Sequence, residues 1–454
     1  MAGAPAESTL SMTHLDKKST NDLDNLSIED GINGMDEDGI LPGDSHVRGS
    51  GMFGTVSNLV NTIIGSGVLA LPSCAAKVGW LLAVIFMVLS AGITWVGLHF
   101  LTACAHRLGG TKTSFGAAAA KSYPWMIVVV DFCVFAVTFG VCVAYMTIAA
   151  SILPMSVKQF APTLEPESFI LQNWVWLLIA WVLFAMPLSM LKSVKILGYT
   201  SAIAVLCVLY TTVIVIVYST GLLDPCDKPI ADGMTCKGEI VAISANASGI
   251  LTSIPVFLTA FCCAPSVFNI YNDIKKPSTK RLDVATISTM AICTALYLII
   301  AMCGYFTYGG NVAGNILDSF PVEIWATIAR IGTAFVVTVS YPLLMHPARD
   351  AVVHAITVAT GGKASGNVLF YTVAAILNVA ALGLAYFNVP LDLILSITGS
   401  IGVVNLSLTI PFIFYYKMFE DINGFKRMIC IPGAVLGLAA SVVCAYYSIA
   451  PLFA

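Results

Sequence analysis

Beyond position 52 the chain alternates between long apolar runs and short polar joints. Eleven runs are of the length a helix needs to cross a hydrocarbon layer about 30 Å thick, roughly 20 residues. They cover 53–73, 80–103, 124–150, 174–191, 196–221, 246–271, 284–308, 321–345, 367–388, 391–415 and 431–453. None carries the period-two alternation of a barrel strand, and backbone in lipid must satisfy its own hydrogen bonds, so each run is expected as a helix. The expected fold class is all-α and polytopic, with eleven transmembrane helices. Residues 1–50 break the rhythm: they are rich in Asp, Ser, Gly and Asn and hold no apolar run. Such a composition buries too little surface to offset the entropy of ordering. The expected organisation is a disordered tail, 1–50, followed by one membrane domain, 51–454.

Composition sharpens this division. The chain is 58% hydrophobic and 10% charged, against about 45–50% and about 25% in soluble domains. Ten acidic and three basic residues fall in the first 50, so the overall charge of −3 averages an acidic tail with a sparsely charged body. No basic stripe interleaved with aromatics is present, which leaves nucleic-acid binding without support. Cytoplasmic loops carry the excess of Lys and Arg. With the tail inside, 17 basic residues fall on the inner side and four, Lys77, Lys158, Lys228 and Lys237, on the outer, with Arg330 inside a span. The expected orientation is a cytoplasmic N-terminus and an exoplasmic C-terminus.

Of the 13 cysteines, most sit within spans, where a free Cys acts as a small hydrophobe. Cys226 and Cys236 share one exoplasmic loop on the oxidising side, which points to a local disulfide, the alternative being two loop thiols. The sequons at Asn25, Asn246 and Asn405 fall in the tail, at a membrane edge and within a span, none a good glycan acceptor.

Two spans are interrupted. The first reads Asn61-Thr62-Ile63-Ile64-Gly65-Ser66-Gly67-Val68-Leu69-Ala70-Leu71-Pro72. Gly65 lies about 12 residues from the inner edge, ~18 Å deep at 1.5 Å per residue. Two glycines around a serine weaken a helix there. Such a break persists only where it is buried in protein or lines a cavity, and half-helix ends at the midplane are a way to bind a carboxylate and a cation. Close packing through small residues is the other reading. The sixth span holds Pro255 and then Thr259-Ala260-Phe261-Cys262-Cys263-Ala264-Pro265-Ser266. Interruptions five spans apart suit a five-plus-five inverted repeat with an eleventh helix appended.

Charges at depth are Asp131 in the third span and Arg330 in the eighth, with Glu323 and Asp392 near outer edges. Each is a functional candidate because an ionisable group in lipid is expensive unless paired. Arg330 is expected to pair with Asp131 or with Glu323, and Asp131 is either that partner or a proton relay. His99 and His346, near the inner edge, read as satisfied or snorkelling side chains. Neither a His-Glu-x-x-His helix nor a Walker loop nor a nucleophile elbow is present, so an enzyme is not expected, and transport would run on gradients.

With these residues in view, the chain from about 50 to 454 resembles the amino acid/auxin permease family, which includes sodium-coupled neutral amino acid transporters and vacuolar amino acid transporters. Asn61 to Pro72 is similar to that family's first span, Cys263 to Asp273 to the end of its sixth, and Arg330 through Thr338, Ser340, Pro342, Pro347 and Arg349 to its eighth. The resemblance implies a fold like that of the leucine transporter and symport of a small amino acid with Na+ or H+ by alternating access, with no other cofactor. It implies that the backbone at Ile64, Gly65, Ser66 and Gly67 holds the substrate, with Phe261 and Cys263 of the sixth span beside it. Asn61 with Thr338 and Ser340 resembles the family's cation site, and Cys226 with Cys236 its loop disulfide. Two positions depart: Ala264 stands where His is frequent, and Ser151 where an acidic residue is frequent. In the tail, Asp36-Glu37-Asp38-Gly39-Ile40-Leu41 resembles an acidic dileucine sorting signal, which points to a vacuolar or lysosomal membrane besides the plasma membrane. An amino acid sensor that signals through the tail is the competing expectation.

Overall fold

The computed structural model of the chain describes residues 49–109, 113–165, 167–191, 200–226, 236–360, 366–422 and 424–453. The expected tail, its sorting motif and the Asn25 sequon lie outside the described residues. What is described is helical, with no strand.

The first apolar run is two helices, α1 (Met52–Ile63) and α2 (Gly67–Val78), bent by 58° at the Gly-Ser-Gly break. Next come α3 (Trp80–Leu108), the short α4 (Phe115–Lys121) and α5 (Met126–Phe160). α6 (Asn173–Ser189) and α7 (Ile203–Ser219) are shorter. The sixth run is again divided, into α8 (Ala247–Ala260) and α9 (Val267–Asp273), joined through a 3-10 turn at Ala264–Ser266. α10 (Thr279–Tyr308) leads through the one-turn α11 (Ile316–Ser319) to α12 (Ile324–Ala359). α13 (Asn367–Tyr386), α14 (Leu391–Met418) and α15 (Cys430–Ile449) complete the described chain.

Among the described residues eight helices are long and apolar enough to cross a membrane, nine when the bent pair is one span. The shortfall from eleven lies in α6 and α7, which occupy the expected fourth and fifth runs. A π turn at Trp181–Ala185 followed by Pro187 interrupts α6, and the helix stops at Ser189. The helix of α7 is described from Thr200 and its side chains from Ile203, four and seven residues after the expected 196.

The helices are apolar all round, with core-facing and outward-facing apolar residues alike, the pattern of helices immersed in lipid. Phe132, Leu206, Leu436 and Val442 are each more than half exposed. Burial also ranks the helices. In α14, 78% of the most apolar stretch is buried, against 22% in α15. α14 is thus a core element and α15 a rim helix, which suits an eleventh helix added to a ten-helix build. α5 packs along α12, α10 against α3, and α8 beside α2.

One end of the bundle is tied together by the loop after Cys236, and Cys226 and Cys236 are joined by a disulfide. The Gly238 N–H donates to the Tyr308 carbonyl (2.9 Å), Gly310 N–H to Glu239 (3.0 Å), and Trp80 N–H to Val241 (3.1 Å). Gly79, at φ +88°, and Gly309, at φ +60°, let the backbone approach this loop; a Cβ on either would lie within 2.5 Å of a loop carbonyl oxygen. We refer to this as the disulfide end.

Candidate functional site

Where α1 ends, Ile64 N–H donates to the Val60 carbonyl at 2.8 Å. From there the helical ladder is lost. The N–H groups of Gly65, Ser66, Gly67 and Val68 have no backbone acceptor among the described residues. The leading N–H groups of a helix are orphans that point along its axis, and with the helix dipole they favour an anion.

Of these residues Gly65, Ser66 and Val68 line a cavity of about 280 Å³, and Gly67 lies off its wall. Its wall takes Asn61, Gly65 and Ser66 from the break, Tyr145 from α5, Thr211 from α7, Ile300 from α10, and Thr333 and Ser340 from α12. The rest is Thr62, Cys207 and apolar residues, chiefly Val68, Leu69, Val208 and Val337, and among the described residues no charged side chain lines it. The volume lies just under the range of about 300–1,000 Å³ usual for small-molecule pockets. It has room for one small zwitterion, with hydroxyl and amide oxygens to orient it.

The second break lies next to the first and is not part of the wall. Phe261 and Cys263 are buried behind Tyr297 of α10; the Phe261 and Tyr297 rings are 5.1 Å apart. The Tyr297 hydroxyl lies 2.8 Å from the Ile63 carbonyl and 3.0 Å from the Ala260 carbonyl. One buried donor therefore serves the last carbonyls of both α1 and α8. Gly67 marks the closest approach of the two breaks, since a Cβ there would sit 2.9 Å from the Ala260 Cα.

Of the expected cation ligands, Asn61 and Ser340 reach the cavity while Thr338 is buried off its wall. Residues two apart on a helix point about 200° from each other, so Thr338 and Ser340 cannot share a face. The oxygens that do reach the wall, Thr62, Thr211 and Thr333, went unmarked in the sequence because hydroxyls scattered through apolar runs carry no local signal. The same holds for Tyr145 and Tyr297.

The intramembrane charges find partners other than each other. Asp131 pairs with His354 near the far end of α12. The Arg330 guanidinium, fully buried, donates to the carbonyls of Leu317 (3.1 Å), Phe320 and Pro321 (3.2 Å). It thus caps the C-terminal carbonyls of α11, which a one-turn helix cannot satisfy internally. Glu323 accepts from the Tyr218 hydroxyl. His99 is satisfied, with Nδ1 2.9 Å from Asp283 and Nε2 3.0 Å from Lys426. His346 bonds Arg349 through Nδ1 at 3.2 Å, and its Nε2 has no partner among the described residues.

At the disulfide end, Lys77 of α2 is ion-paired with Asp392 of α14, and Ser73 lies 3.4 Å from the same carboxylate. α2, which lines the cavity, is thereby tied to α14. Asn246 caps α8 by accepting from Gly249 N–H at 3.1 Å, and Asn405 bonds Ile401 and Ser441, so both sequons serve structure.

Comparison with known proteins gives one consistent answer. Residues 48–454 match the family model for transmembrane amino acid transporter protein. Vacuolar amino acid transporter 5 of Schizosaccharomyces pombe is 32% identical over 381 residues, 83% of this chain and 86% of the relative. Vacuolar amino acid transporter 6 of Saccharomyces cerevisiae is 28% identical over 65% of this chain and 64% of its own length. A solved structure described as the inward-facing conformation of Mhp1 overlaps 89% of this chain and 92% of its own with a TM-score of 0.55 at 12% identity, a likeness of fold.

Proposed function

From the premise that the chain belongs to the transmembrane amino acid transporter family, as a multi-pass membrane protein of leucine-transporter-like fold, we propose that it moves neutral amino acids through the cavity at the α1–α2 break. Movement is by alternating access, driven by a Na+ or H+ gradient. The observation that carries this reading is the cavity lined by Gly65, Ser66 and Val68 of the break, whose N–H groups have no backbone acceptor, with no charged side chain on its wall among the described residues. A substrate carboxylate binds there against the N-terminus of α2, and its ammonium turns to the carbonyls that end α1. A charged substrate side chain would have to desolvate without a counter-charge, a cost of several kcal/mol in such a site. Apolar side chains fit the valine and leucine wall.

Asn61 and Ser340 supply the oxygens for a coupling cation, and the names of the two relatives favour a vacuolar membrane. The inner-side excess of Lys and Arg supports a cytoplasmic N-terminus. The test is uptake by the purified full chain in liposomes, with labelled alanine, leucine, lysine and glutamate offered separately under an imposed Na+ or pH gradient. Alanine or leucine should accumulate under one gradient and lysine and glutamate under neither. If no amino acid moves under either gradient, the reading fails.

A further inference from the structure

A second cavity, of about 220 Å³, lies at the disulfide end. It is walled by Thr147 and Ser151 of α5, Asn173 at the start of α6, Asn315 and Asp318 of the α10–α12 connection, and Asn388 before α14. Asp318 is its single ionisable side chain. Four segments of the chain meet around this one carboxylate, and one of them, α5, also lines the central cavity through Tyr145. On that geometry, we propose that Asp318 is a proton-binding site through which amino acid transport is coupled to acidity on the disulfide side. The inference rests on the transport reading and adds to it a proton-binding group separate from the Asn61 and Ser340 oxygens.

The groups facing Asp318 leave it free to titrate. No cationic side chain pairs with it among the described residues. The Asn315 amide donates to it at 3.4 Å, and the Ser151 hydroxyl lies within reach of both this carboxylate and the Ile148 carbonyl. From α12, Arg330 attracts it from a distance, but the donors of that guanidinium are held on the carbonyls of Leu317, Phe320 and Pro321. Glu323, Tyr218 and Tyr308 act on Arg330. Beyond Gly314, whose Cβ would lie 2.8 Å from Asp392, the Asp392–Lys77 pair is self-neutralised. From α5, α6 and the segment before α14 only neutral Thr, Ser and Asn face the site.

Burial is the larger influence, and it pushes the Asp318 carboxyl up to about 6, against the opposing pull of Ser151, Arg330 and Asn315. A hydrated Asp titrates near 4. The sign follows from linkage: the arrangement that buries Asp318 binds a proton that the hydrated arrangement releases between about pH 4 and pH 6. Acidity on the disulfide side therefore favours closure of that side with the proton aboard, and opening toward the other side lets it leave. Above about pH 6 closure must bury an ion and is penalised.

The test uses the full chain in liposomes with labelled alanine, measured as pH-gradient-driven accumulation and as exchange against unlabelled alanine without a gradient. Asp318→Asn, a permanently neutral mimic, should lose accumulation by about tenfold or more while exchange stays within about twofold and becomes independent of pH. Ser151→Ala removes a group that favours the ionised form, so its pH midpoint should move upward. This variant decides the matter if Asp318→Asn does not fold. Accumulation retained in Asp318→Asn, or an unmoved midpoint in Ser151→Ala, overturns the inference. Absence of both exchange and accumulation in the unaltered protein fails the transport reading instead.

Discussion

At the α1–α2 break the backbone turns beside an open cavity, whereas at the α8–α9 break it turns among packed side chains. The difference lies in hydrogen bonds. In the second break Phe261 N–H donates to Leu258, Cys262 to Thr259 and Ser266 to Cys263, at 3.0–3.2 Å. Local turns take up three of its N–H groups, and side chains fill the space around it. In the first, the N–H groups of four consecutive residues are left for a ligand. An interrupted helix is thus a binding site only where its freed groups meet empty volume. One that re-satisfies itself is a joint. Here the joint braces the site, since Tyr297 binds the last carbonyl of each half and Gly67 lets the two cross.

The widest breach of this arrangement is Gly67→Ala. Its Cβ would meet the Ala260 backbone at 2.9 Å, and two helices have to part to admit it. Overpacking of that kind costs about 1–3 kcal/mol. Because the shift falls at the binding groups themselves, transport should drop by more than tenfold with protein still in the membrane, measured as initial uptake per folded molecule. Wild-type uptake would mean that the breaks do not depend on their contact. Tyr297→Phe should follow, leaving two buried carbonyls without their donor at about 1–3 kcal/mol. It should lower the thermal midpoint and the maximal rate together, with little change in the half-saturating amino acid concentration.

These residues divide by how much of the fold and site was legible in advance. The α1–α2 break was visible because its cause is local: Gly65 and Gly67 weaken any helix wherever the chain then goes. The all-helical class and the Cys226–Cys236 bridge were legible on similar grounds, from run length and from two thiols in one loop. Arg330 was not. Its acceptors are carbonyls 9 to 13 residues earlier, brought round by the turn at α11, and that path is set by packing. Phe261 and Cys263, expected beside the substrate, lie off the cavity wall, since residues of a joint look like residues of a site until the cavity is seen. Thr338 is different, because its two-residue offset from Ser340 already put one of the pair off any shared face.

The comparison sharpens further with one substitution in each break. Gly65→Ala has clearance, with the Tyr145 hydroxyl 3.7 Å from the added carbon, so the fold should be indifferent. The methyl nevertheless enters the cavity beside the freed N–H groups, and the half-saturating amino acid concentration should rise severalfold at an unchanged thermal midpoint. Cys263→Ala should do the reverse. Removing a buried sulfur costs about 1 kcal/mol, and the amino acid concentration dependence should stay put. If both variants shift substrate affinity alike, the second break belongs to the site after all.

The finest distinction concerns the coupling cation, within α12 alone. Ser340 and Asn61 reach the cavity and Thr338 does not. Each neutral oxygen ligand contributes a modest share of cation binding, so losing one should raise the half-saturating cation concentration by a few fold, roughly 1 kcal/mol on the scale of a single hydrogen-bonding partner. Asn61→Ala and Ser340→Ala should do so with less effect on amino acid affinity, and Thr338→Ala should leave cation dependence where it was. A Thr338→Ala effect equal to that of Ser340→Ala would require α12 to rotate during the cycle, bringing its other face to the cavity. An Asn61→Ala effect equal on cation and amino acid would make Asn61 a packing residue of the break.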